Sequence, residues 1–151
     1  MTNTATQMPL VALLQGIYKN VKKAEDTLID LLPRVKDEAL RNAFTVAFSG
    51  YENFAARASR LLAEVGEEPL REGVMTQMTA KMGVMMRTVR DRGTRHLAKM
   101  VIERTTAGMD DLHRQIRLAE ARGASGKSLD LARRLYEFEK KTAEDMRAYL
   151  R

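Results

Sequence analysis

The side chains able to do chemistry in this chain are few and far apart. Glu25, Glu52 and Glu139 lie at the borders of apolar helical stripes. A carboxyl buried there would have a raised pKa and serve proton transfer. Flanking acids on packed helices more often reach water or pair with Lys and Arg, and that is the expectation for all three. His96 and His113 are the only histidines. Asp110 and His113 have the i, i+3 spacing of a surface site for a divalent ion, but both fall on a polar helix face, so an exposed pair is expected. With no cysteine, disulfides, thiolate metal sites and cysteine nucleophiles are excluded together. No phosphate-cradling glycine loop and no Ser-His-Asp or Gly-x-Ser-x-Gly arrangement can be assembled. Hydrolase or transferase chemistry is not expected, and no catalytic, cofactor-binding or metal-ligating residue is assigned.

Two further clusters merit weighing. Arg87, Arg90, Arg92, Arg95 and Lys99 form the densest charge in the chain, around a turn where helix N-terminal amides would also favour an anion. Asp91 interrupts the cluster and no aromatic side chain interleaves for base stacking, so a solvated helix junction is the first reading and anion binding the second. Met75, Met78, Met82, Met85 and Met86, with Val89, form a methionine stripe at helical spacing. Thioethers suit Cu(I), but such a stripe is more commonly an adaptable apolar surface.

The elements that must position these groups follow from periodicity. The chain of 151 residues fits one domain (1–151, with 1–7 a flexible lead-in), and its 9 Gly and 3 Pro leave room for few turns. Pro9 suits the first turn of a helix whose apolar face is Leu10, Leu14, Ile17, Val21, Ala24, Leu28 and Leu31. Pro33 is expected to break that helix and open the next, with Leu40, Phe44, Ala47, Tyr51, Phe54, Ala58, Leu61 and Val65 inward and Gly66 as its stop. A shorter methionine-rich helix over Leu70 to Arg90 follows. Gly93 and Thr94 read as a stop and an N-cap.

The central helix spans Arg95 to Arg122, burying Leu97, Val101, Thr105, Gly108, Leu112, Ile116 and Ala119. Gly108 in mid-helix costs about 1 kcal/mol relative to alanine, which implies a neighbouring helix or a large ring pressed close. After a Gly123–Gly126 turn, the last helix from about Ser128 to Leu150 buries Leu131, Leu135, Phe138, Thr142, Met146 and Tyr149. No segment reads as a strand. The fold expected is all-α: an antiparallel four-helix bundle with one additional shorter helix.

The stretches "LLQGIYKNVKKAEDTL", "RLLAEVGEEP", "MVIERTTAGMDDL" and "RRLYEFEKKTAEDM", in this order, resemble the ferritin-like superfamily. The likeness is to small bacterial ferritin-like proteins with an extra helix between bundle helices two and three. It implies a di-iron carboxylate centre, built from one Glu on each of two helices and Glu-x-x-His on each of the other two. Here Glu52 is followed by Ala55 and Glu139 by Thr142. Glu25 stands about 60° off its helix's apolar centre on a wheel of roughly 100° per residue, and Glu103 faces away. Ligand number and direction both fail.

The expectation is therefore a cytoplasmic, non-enzymatic ferritin-like bundle without a cofactor, acting through protein contacts. A homodimer is expected, with Met75, Met78, Met82, Met85, Met86 and Val89 at the interface. The alternatives are an iron- or oxidant-handling member with an incomplete site, or a weak nucleic-acid or phosphate binder using the basic turn. Neither sequence-specific nucleic-acid binding nor membrane insertion is expected. The net charge of +6 serves solubility in the first reading.

Overall fold

A computed structural model describes residues 4–70 and 93–151, with side-chain surroundings from Met8 onward. Four α-helices make up the described chain: α1 (Thr4–Leu31), α2 (Glu38–Glu64), α3 (Thr94–Ala121) and α4 (Lys127–Arg147). Short 3-10 turns follow α1 (Leu32–Arg34) and α4 (Ala148–Leu150). The described residues contain no strand, and no described helix is long and apolar enough to cross a membrane. The methionine stripe from Met75 to Val89 lies outside the described residues, as do Arg87, Arg90 and Arg92.

Side-chain pairings give the helix directions. Gln15 on α1 exchanges hydrogen bonds with the backbone at Glu68 and Leu70, just past α2 (2.8 and 2.9 Å). Farther along α1, Glu25 shares a groove with Glu52, so α1 and α2 are antiparallel. Gly16 faces Gln115 and Asn20 bonds Gly108, which makes α1 and α3 antiparallel too. Glu120 pairs with Arg133 at 3.6 Å while Gly108 meets Glu139, and the same holds for α3 and α4. Tyr51 bonds Glu139, and Glu64 shares a groove with Lys127 and Asp130, which sets α2 against α4. Each of these four pairs is antiparallel, and α1 and α4, which meet across the diagonal at Asn20 and Glu139, run parallel. Consequently α2 finishes at the end of the bundle where α1 starts, and α3 starts at the opposite end.

Local chemistry explains where the helices stop and start. Pro33 ends α1 but does not open α2. The Asp37 carboxylate accepts the Leu40 amide at 2.8 Å and caps α2 instead, a contact worth about 1 kcal/mol. At the far end of α2, Glu67 N donates to Leu62 O and Gly66 N to Ala63 O. This is the Schellman pattern, and it needs the left-handed φ of +75° that Gly66 supplies. The same pattern closes α3 at Gly123 (φ +79°), with Ala124 N donating to Ala119 O.

Gly93 is itself the N-cap of α3, with extended backbone and no side-chain cap, so Thr94 is the first helical residue and not the cap. Helix α1 begins at Thr4, ahead of the expected start, and carries Pro9 inside it. Proline there forfeits one backbone hydrogen bond without ending the helix.

The core is one apolar cluster drawn from all four helices. On α3 all seven expected inward residues are buried. On α2 and α4 the buried stripe drifts. Past Tyr51 it passes through Ala55 and Leu62 rather than Phe54 and Leu61, and past Leu135 through Glu139 rather than Phe138. A helix of 3.6 residues per turn needs more steps of four than of three, so each stripe takes a step of four where three was expected, Tyr51 to Ala55 and Leu135 to Glu139, and rejoins the expected positions at Ala58 and at Thr142. On α4 this step carries a carboxylate into the core.

Candidate polar centre in the bundle core

Glu139 is fully buried, at 0 % exposure, midway along the bundle. Asn20 Nδ2 donates to its Oε1 at 2.7 Å, and Tyr51 Oη donates to its Oε2 at 2.9 Å. Asn20 Nδ2 also reaches the Gly108 carbonyl at 3.3 Å. Each of the four helices therefore supplies one member of this centre. Asn20 occupies the inward face of α1 between Ile17 and Ala24, and Tyr51 the inward face of α2. Gly108 makes the space. A Cβ built on it would lie 2.6 Å from both Asn20 Oδ1 and Glu139 Oε2, closer than real Cβ contacts come. The small-residue notch on α3 is thus filled by a carboxylate and an amide, and not by the helix or ring expected from the sequence.

Burial raises the Glu139 carboxyl to about 7, against the opposing pull of the Asn20 and Tyr51 hydrogen bonds and the positive charge of Arg104. Burial and the neighbouring Glu139 charge together push the Tyr51 hydroxyl well above its ordinary range. Loss of hydration outweighs the two donated hydrogen bonds, and the group is balanced near neutrality between its neutral and charged forms. The expectation that Glu139 would snorkel or pair with Lys or Arg is corrected: it is a buried acid held by neutral donors.

Phe138, expected in the core, packs at its edge. Its ring meets Tyr51 edge-on at 5.0 Å and Phe54 at 5.3 Å, and lies over Gly50, where a Cβ would come within 2.5 Å of it.

The other candidates are dispersed. Glu25 is buried at 5 % exposure and forms an ion pair with Lys22 at 3.0 Å, Lys22 itself being exposed. Burial raises the Glu25 carboxyl although Lys22 opposes it, and its Oε1 has no hydrogen-bond partner. Glu52 is exposed and lines the same shallow α1–α2 groove as Glu25, Tyr18 and Ser59. The three acids do not come together.

Asp110 and His113 are exposed on α3, as expected, and the His113 ring lies 6.4 Å from that of Tyr136. His96 is half-buried, with Nε2 enclosed and unbonded. Arg95 and Lys99, the described part of the basic cluster, are exposed at the start of α3.

The two-metal centre implied by the family resemblance does not fit these residues. The inward donors at mid-bundle are Glu139, Asn20 and Tyr51. Thr105 and Thr142 turn their hydroxyls back to carbonyls of their own helices at 3.0 and 2.8 Å. Among the described residues, no group of three His, Cys, Asp or Glu stands close enough to hold a metal ion. One carboxylate without imidazole, already accepting two hydrogen bonds, lacks the four carboxylates and two histidines of such a centre. No family model matches the chain, and no curated protein or solved structure matches it.

Proposed function

We propose that the chain is a ferritin-like bundle that works through protein contacts, as a homodimer, without a metal centre or an enzymatic reaction of its own. The observation that carries this reading is the commitment of Glu139, the fully buried mid-bundle carboxylate, to Asn20 and Tyr51. The level at which ferritin-like proteins assemble metal ligands is here given over to hydrogen bonds between helices. The helix directions also support the ferritin-like reading. Helix α2 finishes at one end of the bundle and α3 starts at the other, as in bundles with one long crossover.

Elemental analysis of protein purified without chelator, followed by titration with Fe(II), tests the metal-free part. Less than one bound ion per chain and no ferroxidase activity are expected. Two ions per chain, lost in Glu139→Gln, would overturn it. Sedimentation tests the dimer, with wild type beside Met78→Glu and Met82→Glu. A monomeric wild type ends that part, and folded, dimeric variants remove the methionine stripe from the interface.

A further inference from the structure

Asn20 Oδ1 is a buried acceptor without a donor. The side chain is only 6 % exposed, and this oxygen is enclosed with no hydrogen-bond partner. Its orientation is set, because Nδ2 is engaged by Glu139 and the Gly108 carbonyl. Turning the amide over would aim its oxygen at that carbonyl, acceptor against acceptor. Neither water nor a solute in the adjoining α1–α3 cleft reaches an atom so enclosed. Orphaned acceptors are rare in protein cores, so the donor has to come from within.

The neighbouring donors are spent or out of reach. The Thr105 and Thr142 hydroxyls are turned to carbonyls of their own helices. Arg104 Nε, also enclosed, does not bond it. Tyr51 Oη gives its hydrogen to Glu139 Oε2. What remains is the carboxyl itself. Nδ2 meets Oε1 at 2.7 Å, and a Cβ on Gly108 would lie 2.6 Å from both Oδ1 and Oε2 and 2.9 Å from Oε1. The three oxygens crowd one point above Gly108, so the amide and the carboxyl lie edge to edge, with Oδ1 on the Oε2 side. Two bare oxygens placed like this repel. One proton between them turns the repulsion into a hydrogen bond, and a carboxylic acid and an amide then exchange two bonds: Nδ2–H to Oε1 and Oε2–H to Oδ1.

We propose that the proton of Glu139 is held between Oε2 and Asn20 Oδ1, and that this acid–amide pair is a clasp between α1–α2 and α3–α4 that releases when the proton leaves. The other groups facing the carboxyl are the Tyr51 hydroxyl on α2 and the opposed charges of Arg104 and Asp111 on α3, neither of which bonds it. Tyr51 donates to Oε2 in either form, so Asn20 is the partner that tells neutral from ionised. Burial raises the carboxyl to about 7, which puts release near neutrality. Beyond it an anionic Oε2 faces Oδ1, and the contact across the bundle exchanges a hydrogen bond for a repulsion. The device needs no ligand and does not depend on the chain's being a dimer.

Carbon-13 NMR and hydrogen exchange of the full chain between pH 5 and pH 9 test both parts. Glu139 Cδ should titrate in one step, and Asn20 Cγ, which reports on Oδ1, should move with the same midpoint. Backbone amides of α1 and α4 around the pair, corrected for the intrinsic effect of pH, should lose at least about tenfold in protection between pH 5 and pH 8. The sign follows because the folded pair holds a proton that the opened form releases. In Glu139→Gln an N–H replaces the O–H facing Oδ1, and that loss should be absent. Three results overturn the proposal: a Glu139 Cδ that does not titrate in this range, an Asn20 Cγ that stays fixed while it does, or protection that wild type keeps or Glu139→Gln loses equally. The first two are read on wild type alone, so the test stands should the variant fail to fold.

Discussion

Replacing Glu139 with glutamine should make the protein's stability less dependent on pH. In the unfolded chain the carboxyl titrates near its ordinary 4.5, and in the folded bundle burial raises it to about 7. Below pH 4.5 it is protonated in both states and pH has no effect through this group. Between about 4.5 and 7 the folded chain keeps a proton that the unfolded chain has released, so stability falls as pH rises. Above 7 both forms are ionised and the whole difference has been lost. At 1.36 kcal/mol per pH unit, the loss from this one group is about 3 kcal/mol.

Glutamine reproduces the protonated form. Its oxygen accepts from Asn20 Nδ2, and its nitrogen donates to the Tyr51 oxygen, which Glu139 Oε2 now approaches at 2.9 Å. Glu139→Gln should therefore be close to wild type at pH 5 and more stable at pH 8.5 by up to about 3 kcal/mol, or roughly 6–12 °C in melting temperature. Denaturant melts of both proteins across this range provide the measurement. Every other group is common to both proteins and cancels in the difference. A difference between variant and wild type that stays constant from pH 5 to 8.5 would show that Glu139 does not titrate as its burial requires.

Three further outcomes follow from the same contacts. Gly108→Ala gains about 1 kcal/mol of helix propensity but sets a methyl 2.6 Å from Asn20 Oδ1 and Glu139 Oε2; a net loss of roughly 1–3 kcal/mol is expected, and a raised melting temperature would refute the filled notch. Tyr51→Phe removes a donor from a buried carboxylate and should cost about 1–3 kcal/mol at pH 8.5, less at pH 5, where Glu139 is neutral; equal costs at both would show that the hydroxyl matters only for packing. Asp37→Ala should cost about 1 kcal/mol by uncapping α2, measured by chemical denaturation; an unchanged stability would show that the Asp37–Leu40 contact does not cap the helix.

The four described helices, the α3 face, the glycine stop at Gly66 and the turn from Gly123 to Gly126 were legible because periodicity and backbone conformation act locally. The polar centre was not. A strict four-three pattern selects Phe138 as the inward residue of α4, whereas the real helix drifts until Glu139 takes that place. The available signals were Asn20, polar among Ile17, Val21 and Ala24 on an apolar face, and Gly108, whose missing side chain implied a close neighbour. Which atoms fill the gap depends on how four helices meet, and no single stripe carries that information. Asp37 was overlooked for a simpler reason: Pro33 is the louder break, although its 3-10 turn leaves the capping to a residue farther on.

The bundle divides into two local hairpins, α1 with α2 and α3 with α4, and the central hydrogen bonds all cross between them. Asn20 and Tyr51 belong to the first hairpin, Gly108 and Glu139 to the second. Each hairpin can gather by short-range contacts, which is fast, while docking the two is the long-range step. Apolar stripes alone tolerate a slip of one turn between hairpins, since leucine meets leucine or alanine either way. A slip here would strand Glu139 against hydrocarbon and leave Asn20 without its acceptor. The penalty falls on misaligned dockings and spares the aligned one, so the carboxylate acts as a checkpoint of assembly, with Gly108 as the seat that admits it.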